Sequence, residues 1–367
     1  MRRLLASLLA AGLVLGACGG DSGGDGPDPA EDPKGALTSA FENLGEWAGV
    51  DATLSLDTEA DDLVAVSEGD LTEEQADTIV NSAVNLKAVG ADNPEDAQVE
   101  FVLDIDGSLA EMRVLNNVIY ARADVRDLVD KFGGDQAEVD AAVQQMSGQF
   151  DFIQPLVDGE WVGFEGAEQL TQQFGAPSPD AELQQRLTND LAQAVEDNST
   201  VTEEGSDDAG THLVANLQIK PLYEALQESF AGLSQVPGTD LPSSAEVPDE
   251  EIAVDFWVDD GNLTQIGFDF MQVAELEDSS EIPEGVDQLG ILLELAEFDD
   301  SIEEPDAATT VNLQELMGGL MGGLGGTETG GSSSEEVELG EDICEQLAEQ
   351  PPEVQQQFVE QCPEFAQ

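Results

Sequence analysis

The chain has 367 residues, 80 of them Asp or Glu and only 10 Lys or Arg, which gives a formal net charge of −70 at pH 7. A surface this acidic repels phosphate backbones and anionic headgroups, so the composition excludes nucleic acid as a partner and excludes flat adsorption to an anionic membrane. Because 40% of the residues are hydrophobic, the sequence still predicts a folded body. Its acidity is interpreted as a solubility or salt adaptation, with cation binding as a minor alternative.

The N-terminus has the features of a secretory leader that ends in a cysteine. Two arginines precede an apolar run of roughly 14 residues, which is too short to span a bilayer. The run ends in Leu15-Gly16-Ala17-Cys18, which resembles the bacterial lipobox, where the cysteine receives a diacylglyceryl group and the peptide is cut before it. We therefore predict a signal peptide at 1–17 and a protein anchored by lipid at Cys18 on the extracytoplasmic face of the cell membrane. An ordinary secretory peptide with a chance cysteine is the alternative.

Composition divides the rest of the chain into four parts. Residues 18–35 are rich in Gly, Asp and Pro and have no apolar face, so they predict a flexible, lipidated tether. A folded domain is predicted at 36–316, followed by a Gly/Ser-rich and acidic linker at 317–340. Two short helices are predicted in the last part, 341–367.

Each of the two C-terminal helices carries one cysteine, Cys344 and Cys362. If Cys18 is lipidated, these two are the remaining cysteines of a chain that lies outside the cytoplasm. An oxidising compartment then favours a disulfide between them, which makes 341–367 a disulfide-linked helical hairpin. Two free thiols are the alternative.

The domain begins with a predicted amphipathic helix and a strand at 50–57. A capping-box pattern, Thr72 with Gln75, then predicts a helix near 73–88. The apolar positions that share one face of the first helix are Leu37, Phe41, Leu44 and Trp47.

The clearest strand pattern lies at 98–123, where apolar and polar residues alternate. Phe101 shares one face with its apolar neighbours two positions away, and Glu100 points to the other face. Tight turns at Asp106-Gly107 and Asn116-Asn117 predict an antiparallel three-strand meander. A mainly helical middle and a short strand follow, and alternation then resumes around a second Asp-Gly turn. These later strands are predicted at 161–164, 211–219, 252–258, 266–270 and 291–298.

No motif in the sequence supports catalysis. His212 is the one histidine, and its alternation places it on an outward strand face as a solvated side chain. The sequence has no nucleophile elbow, no phosphate-binding glycine loop after a strand, and no His/Cys set for a metal. We therefore predict a protein that is not an enzyme and uses no cofactor or metal. A hydrolase built on two carboxylates is the third alternative, because 80 acidic residues hide any such pair.

Segments 114–122 and 254–263, together with the lipobox, resemble those of actinobacterial lipoproteins of the LppX/LprG type, which share the LolA-like lipoprotein-carrier fold. The resemblance covers about residues 36–316 and depends on the sequence pattern of the strands and on the positions of the turns. It implies an α+β fold, in which helices pack on the concave face of a curved antiparallel half-barrel sheet. Members of that family hold acylated molecules in the apolar hollow between sheet and helices. The long acidic middle and the C-terminal cysteine hairpin depart from the family pattern.

The leading hypothesis is a lipid-anchored envelope lipoprotein that binds an apolar or acylated ligand in such a hollow. For each lining residue the alternative is ordinary core packing. For the whole protein the alternative is a structural or protein-interaction module whose partner is another envelope protein. The candidate lining residues are Phe101, Leu103, Ile105, Met112, Val254, Phe256, Phe268 and Phe270.

Overall fold

The computed structural model describes residues 26–67, 69–90, 97–148, 150–166, 195–221, 249–272, 285–307 and 309–313, and the single residues 193, 223, 247 and 316. The chain divides into two compact units, Met1–Met317 and Gly318–Gln367, and every described residue lies in the first. The three cysteines, residues 18–25 of the predicted tether and the linker lie outside the described residues, whereas residues 26–35 are described and a helix already begins at Pro33. The lipidation, the disulfide and the domain boundaries therefore stay predictions.

The described elements are helices and the strands of a single sheet. The helices that bear on the argument are α1 (Pro33–Leu44), α2 (Ala60–Val66), α3 (Glu73–Val80), α4 (Val125–Lys131), α5 (Gln136–Ser147) and α6 (Ile153–Val157). The strands are β1 (Gly49–Thr58), β2 (Ser82–Val89), β3 (Gln98–Ile105), β4 (Ser108–Leu115), β5 (Val118–Ala123), β6 (Val162–Glu165), β7 (Ser199–Asp207), β8 (Gly210–Gln218), β9 (Glu251–Asp259), β10 (Asn262–Asp269), β11 (Leu289–Glu297) and β12 (Thr309–Asn312).

All twelve strands form one open sheet, in the order β12-β6-β5-β4-β3-β2-β1-β11-β10-β9-β8-β7. Strands β1 to β6 run outward as one meander and β7 to β11 run back as a second, and the two meanders meet where β1 pairs with β11. The pairs are antiparallel except β12 with β6, which is parallel. The structure confirms the α+β class and the curved, mostly antiparallel sheet.

The predicted tight turns are confirmed. Asp106-Gly107 has φ values of 49° and 90°, and Asp260-Gly261 has 48° and 80°. Asn116-Asn117 likewise has two positive values, 51° and 63°. Two consecutive positive φ angles define the type I′ turn, whose twist matches that of the flanking strands. These dipeptides therefore set the register of three hairpins.

The helix predicted near 73–88 is wrong in its second half. The capping box is present, with the amide of Gln75 donating to Thr72 Oγ1 at 3.2 Å, but α3 ends at Val80. Residues 82–89 instead form β2, because Val84, Leu86 and Ala88 alternate with polar residues and pair with β3. The propensity-based extension of the helix missed this period of two.

Helix α1 is confirmed and packs on the second meander. Its residues Leu37 and Ala40 are fully buried, and the ring of Phe41 meets that of Phe256 edge to face at a centroid distance of 5.6 Å. Asn43 donates to the carbonyl of Gly261 at 2.9 Å, which fixes the helix against the β9–β10 turn. The main core therefore lies between α1 and strands β8 to β10.

Candidate functional site

One apolar row crosses nine strands on a single face of the sheet. Residues paired across antiparallel strands share a face, so the row can be followed through the register. We call the face that carries this row the inner face and the opposite side the outer face. From β8 to β5 the row consists of Leu213, Phe256, Ile266, Leu293, Leu54, Val84, Leu103, Ala110 and Ala123.

Seven of the predicted lining residues lie on inner-face strand positions, and the ring of the eighth, Phe270, contacts Phe268 at 5.1 Å. Four of the eight belong to the packed core under α1. Val254, Phe256 and Phe268 are buried, and Phe270 packs against the same cluster. Their side chains are already covered by protein, so they form core in this structure.

The other four predicted residues lie on the first meander, where the inner face is less covered. Phe101, Leu103 and Ile105 are half-buried, and Met112 is 40% exposed. The residues beside them on β2 and β4 are half-buried as well. We call this region the open face; it comprises Val84, Leu86, Phe101, Leu103, Ile105, Ala110 and Met112.

Helices α4 and α6 bound the open face on the side of β4 to β6. Ser108, at the start of β4, is fully buried, and its hydroxyl donates to Asp127 of α4 at 3.2 Å. Phe152, next to α6, meets inner-face Phe164 of β6 edge to face at 5.4 Å. The open face therefore lies between these helices and the part of the sheet under α1.

A polar cleft of about 360 Å³ adjoins helices α4 and α6. Arg126 lies there with its Nη1 2.6 Å from Asp140 and its Nε 3.7 Å from Asp158. The hydrogen bond and charge of Asp140 raise the pKa of Arg126, so its guanidinium is charged and already paired. The lining residues are Asp124, Arg126, Asp127, Val157 and Asp158.

Charged residues are buried on the outer face of the same meander. Glu100 and Glu111 are 8% and 7% exposed. Arg113 Nε lies 2.6 Å from Glu100 Oε2, and Arg122 donates to Glu111. The Nζ atom of Lys87 lies 3.7 Å from Glu100 Oε1. We call these five residues the ionic cluster. Glu100 points away from Phe101 as predicted, but it is the more buried of the two.

The ionic cluster is covered by Trp161 and by a strap, residues 298–307. The indole of Trp161 lies 4.9 Å from the guanidinium carbons of both Arg113 and Arg122. Ile302 of the strap is 7% exposed and packs against Leu115 and Tyr120.

The strap is close to fully extended. It joins β11 to β12, which are seven strand spacings apart in the sheet, or about 34 Å at about 4.8 Å per strand. The chain between Glu297 and Thr309 can reach only about 40 Å when fully extended. Little slack remains, so the strap lies tightly across the outer face.

Polar contacts fix the strap along its length. The amide of Ile302 donates to Gln98 at 2.8 Å, and Arg113 donates to the carbonyl of Glu303 at 2.8 Å. The hydroxyl of Tyr120 donates to Glu304 at 2.5 Å. Burial, together with that hydrogen bond and the charge of Glu304, raises the pKa of Tyr120 to about 12.

His212 is on the outer face, as predicted, but it is not simply solvated. Its Nε2 lies 2.7 Å from Asp255 Oδ1, and its ring stacks on Trp257 at a centroid distance of 4.5 Å. The Trp257 indole donates to Asp207 at 2.9 Å, and this bond lowers the pKa of Asp207. These contacts make His212 part of a cross-strand surface group.

Acidic side chains and helices are both numerous in the described part of the chain. In that part of the chain, no group of three or more His, Cys, Asp or Glu side chains is arranged to hold a metal ion. None of the helices there is long and apolar enough to cross a membrane.

Comparison with known proteins gives distant similarity to solved structures and no match by sequence. No family model matches the sequence, and no curated protein matches it. Among solved structures, the chain is similar to the lipoprotein LppX of Mycobacterium tuberculosis, with 10% sequence identity and a TM-score of 0.31. The similarity covers 76% of this chain and 99% of that chain. The description of the fold given above uses the strand order, the register and the helix packing of this chain, and it does not depend on this similarity.

Sequence reasoning missed three residues of the open face. Val84 and Leu86 fall in the segment predicted as helix. Ala110 lies on the predicted inward strand face, but it is not among the predicted lining residues. The alternation of Val84 and Leu86 with Asn85 and Lys87 was the signal that could have found them.

Proposed function

We propose that this protein is a lipid-anchored binding protein that holds an apolar or acylated ligand against the open face. The observation that carries the proposal is the continuity of the apolar row. Under α1 the row is buried, with Leu213 at 0% exposure, whereas on the open face Met112 is 40% exposed. A sheet face that continues apolar beyond its own cover has the chemistry of a ligand site.

The energetics favour a chain-like ligand. Each methylene removed from water contributes about 0.8 kcal/mol, so an acyl chain gains affinity in proportion to the length laid on the face. The lining supplies Phe, Leu, Ile, Val and Met side chains and almost no polar group. On such a surface, the affinity depends on the apolar area that the ligand buries and not on a defined pattern of hydrogen bonds.

The anchor is part of the proposal. Lipid on Cys18 and a hydrated tether between Cys18 and α1 would keep a body of strongly negative charge beside a membrane that it does not adsorb to. A Cys18→Ser variant should lose incorporation of labelled fatty acid and should leave the membrane fraction. Retention of both label and membrane association in that variant would refute the anchor.

Ligand binding is tested with the mature chain carrying Cys18→Ser. Native mass spectrometry before and after solvent extraction should reveal a bound apolar molecule. The extracted protein should enhance the fluorescence of the uncharged dye Nile red.

A matched pair of variants locates the site. Met112→Glu places a charge on the open face, and we expect it to weaken Nile red binding at least about fivefold. Met146 of α5 is 41% exposed, so Met146→Glu makes the same change at equal exposure and should leave binding unchanged. A chain that purifies empty and binds no dye would refute the proposal and favour a protein-interaction module.

A further inference from the structure

The positive charges of this chain are few enough to be followed individually. The sequence has 10 Lys and Arg residues, and seven lie in the described part of the chain. Arg2 and Arg3 belong to the predicted leader, and Arg186 lies outside the described residues. The seven are Lys34, Lys87, Arg113, Arg122, Arg126, Lys131 and Lys220.

Three of the seven cannot reach the open face because they point to the outer face. These three side chains alternate with inner-face residues along their strands. They are Lys87 on β2, Arg113 on β4 and Arg122 on β5. All three are engaged in the ionic cluster with Glu100 and Glu111. Lys87 also lies 3.7 Å from Asp51, so three carboxylates balance the three positive charges on the far side of the sheet.

Two more lie in the other half of the sheet. Lys34 donates to the carbonyl of Ser199 on β7, and Lys220 follows β8. Strands β8 and β2 are five strand spacings apart, or about 24 Å. Measured along the sheet, that distance exceeds the Debye length of about 10 Å at moderate salt, so at moderate salt both charges are largely screened from the open face.

The remaining two lie near the open face but are paired. Lys131 contacts the Asp106 carboxylate at 3.0 Å and donates to the Asp106 carbonyl at 2.6 Å, beside Ile105. Arg126 is held by Asp140 and Asp158. In this neighbourhood Asp124 and Asp127 add further negative charge.

We infer that the open face selects against ligands with an anionic headgroup and takes an apolar molecule whose polar end is uncharged. Within the described part of the chain, a carboxylate or phosphate on the open face has no unpaired cation near it, and it meets the field of the surrounding Asp side chains. An ester or hydroxyl headgroup meets neither penalty. This inference rests on the proposed function, and it adds the chemical class of the ligand.

The test compares two ligands of equal chain length on the mature Cys18→Ser protein. Dodecanol and dodecanoic acid each displace Nile red at about pH 8, where only the acid is charged. We expect the acid to displace the dye at least about tenfold more weakly at low salt, and the gap should narrow at about 0.5 M salt.

A charge placed on the open face supplies the internal control. Met112→Lys should strengthen displacement by the acid relative to the alcohol, whereas Met146→Lys should leave the ratio unchanged. Arg186→Gln should also leave it unchanged. Equal displacement by acid and alcohol in the parent protein, a response to Arg186→Gln, or no change with Met112→Lys would overturn the charge inference. Absence of any dye binding would instead overturn the proposed function.

Discussion

The two halves of the inner face carry the same apolar alternation but differ in what covers it. In the second meander, α1 lies on the strands, and Phe256 is 4% exposed. In the first meander, Phe101 occupies an equivalent inner-face position and is only half-buried. On the outer faces the order of burial is the opposite. Glu100 of the first meander is buried under the strap, while His212 of the second meander is partly exposed. Burial is therefore decided by the covering element and not by the strand pattern.

This difference separates core from candidate site within one continuous row. In the half under α1, the described inner-face side chains pack against that helix. The half between α1 and the helices α4 and α6 has the strap and the ionic cluster on its outer face, and its inner face is less covered. Variants that treat the two halves alike test whether the separation is real.

The largest expected contrast comes from one substitution made in both halves. Phe256→Ala removes a buried ring that packs on Phe41, and we expect it to cost about 3–5 kcal/mol in the free energy of unfolding. Phe101→Ala removes a half-buried ring, and we expect a cost of about 1 kcal/mol. Urea denaturation of both variants measures the difference. Equal costs would show that the open face is ordinary core.

The second contrast compares two glutamates. Glu111→Ala leaves the Arg122 guanidinium without its buried partner and should cost about 3 kcal/mol. Glu294 on β11 is exposed and accepts a hydrogen bond from Gln265, so Glu294→Ala should cost less than about 0.5 kcal/mol. Glu111→Gln, which keeps the shape and loses the charge, should fall between them. A negligible effect of Glu111→Ala on urea denaturation would show that the ionic cluster does not stabilise the first meander.

The sequence predicts the local elements of this fold better than its long-range ones. The type I′ turns, α1 and the capping box depend on neighbours within a few residues, so Asp-Gly, Asn-Asn and Thr72 with Gln75 identify them directly. The sequence does not predict strand β2, because the segment from Glu73 to Val89 begins with a strong helix signal that masks the later alternation. Strands β7 and β12 were not predicted.

The division of the lining residues could not be predicted from sequence. Phe101 and Phe256 have the same strand pattern, and only the position of α1, more than 200 residues from Phe256 in the chain, decides which is covered. The same holds for Glu100, whose burial depends on Trp161 and on a strap near residue 302. Contacts of such sequence separation leave no local signal.

The strap provides a smaller, pH-dependent effect. The pKa of Tyr120 is raised to about 12 in the folded protein, so folding favours the protonated hydroxyl. Its contribution is fully present below about pH 10, the pKa of an unfolded tyrosine, and is lost as the pH rises toward 12. Tyr120→Phe should lower stability by about 1 kcal/mol at neutral pH and should flatten the decline in Tm between about pH 10 and 12.

Tyr223 supplies the control, because it is the one other tyrosine of the sequence. In the Tyr223→Phe variant, the part of the decline in Tm that is due to Tyr120 should remain. If the decline persists unchanged in Tyr120→Phe, the contact with Glu304 does not hold the strap.

The smallest expected effect concerns the outer face of the second meander, where His212 and Asp255 pair across β8 and β9. Their side chains are 28% and 34% exposed, so solvent screens the interaction, and a double-mutant cycle of His212→Ala with Asp255→Ala should give a coupling below about 1 kcal/mol. The matching cycle of Arg122→Ala with Glu111→Ala, measured by the same urea denaturation, should give a larger coupling because Glu111 is almost fully buried. Equal couplings would mean that burial under the strap adds nothing to a cross-strand ion pair. The distinction between the two outer faces would then fail, although the distinction between the two inner faces would stand.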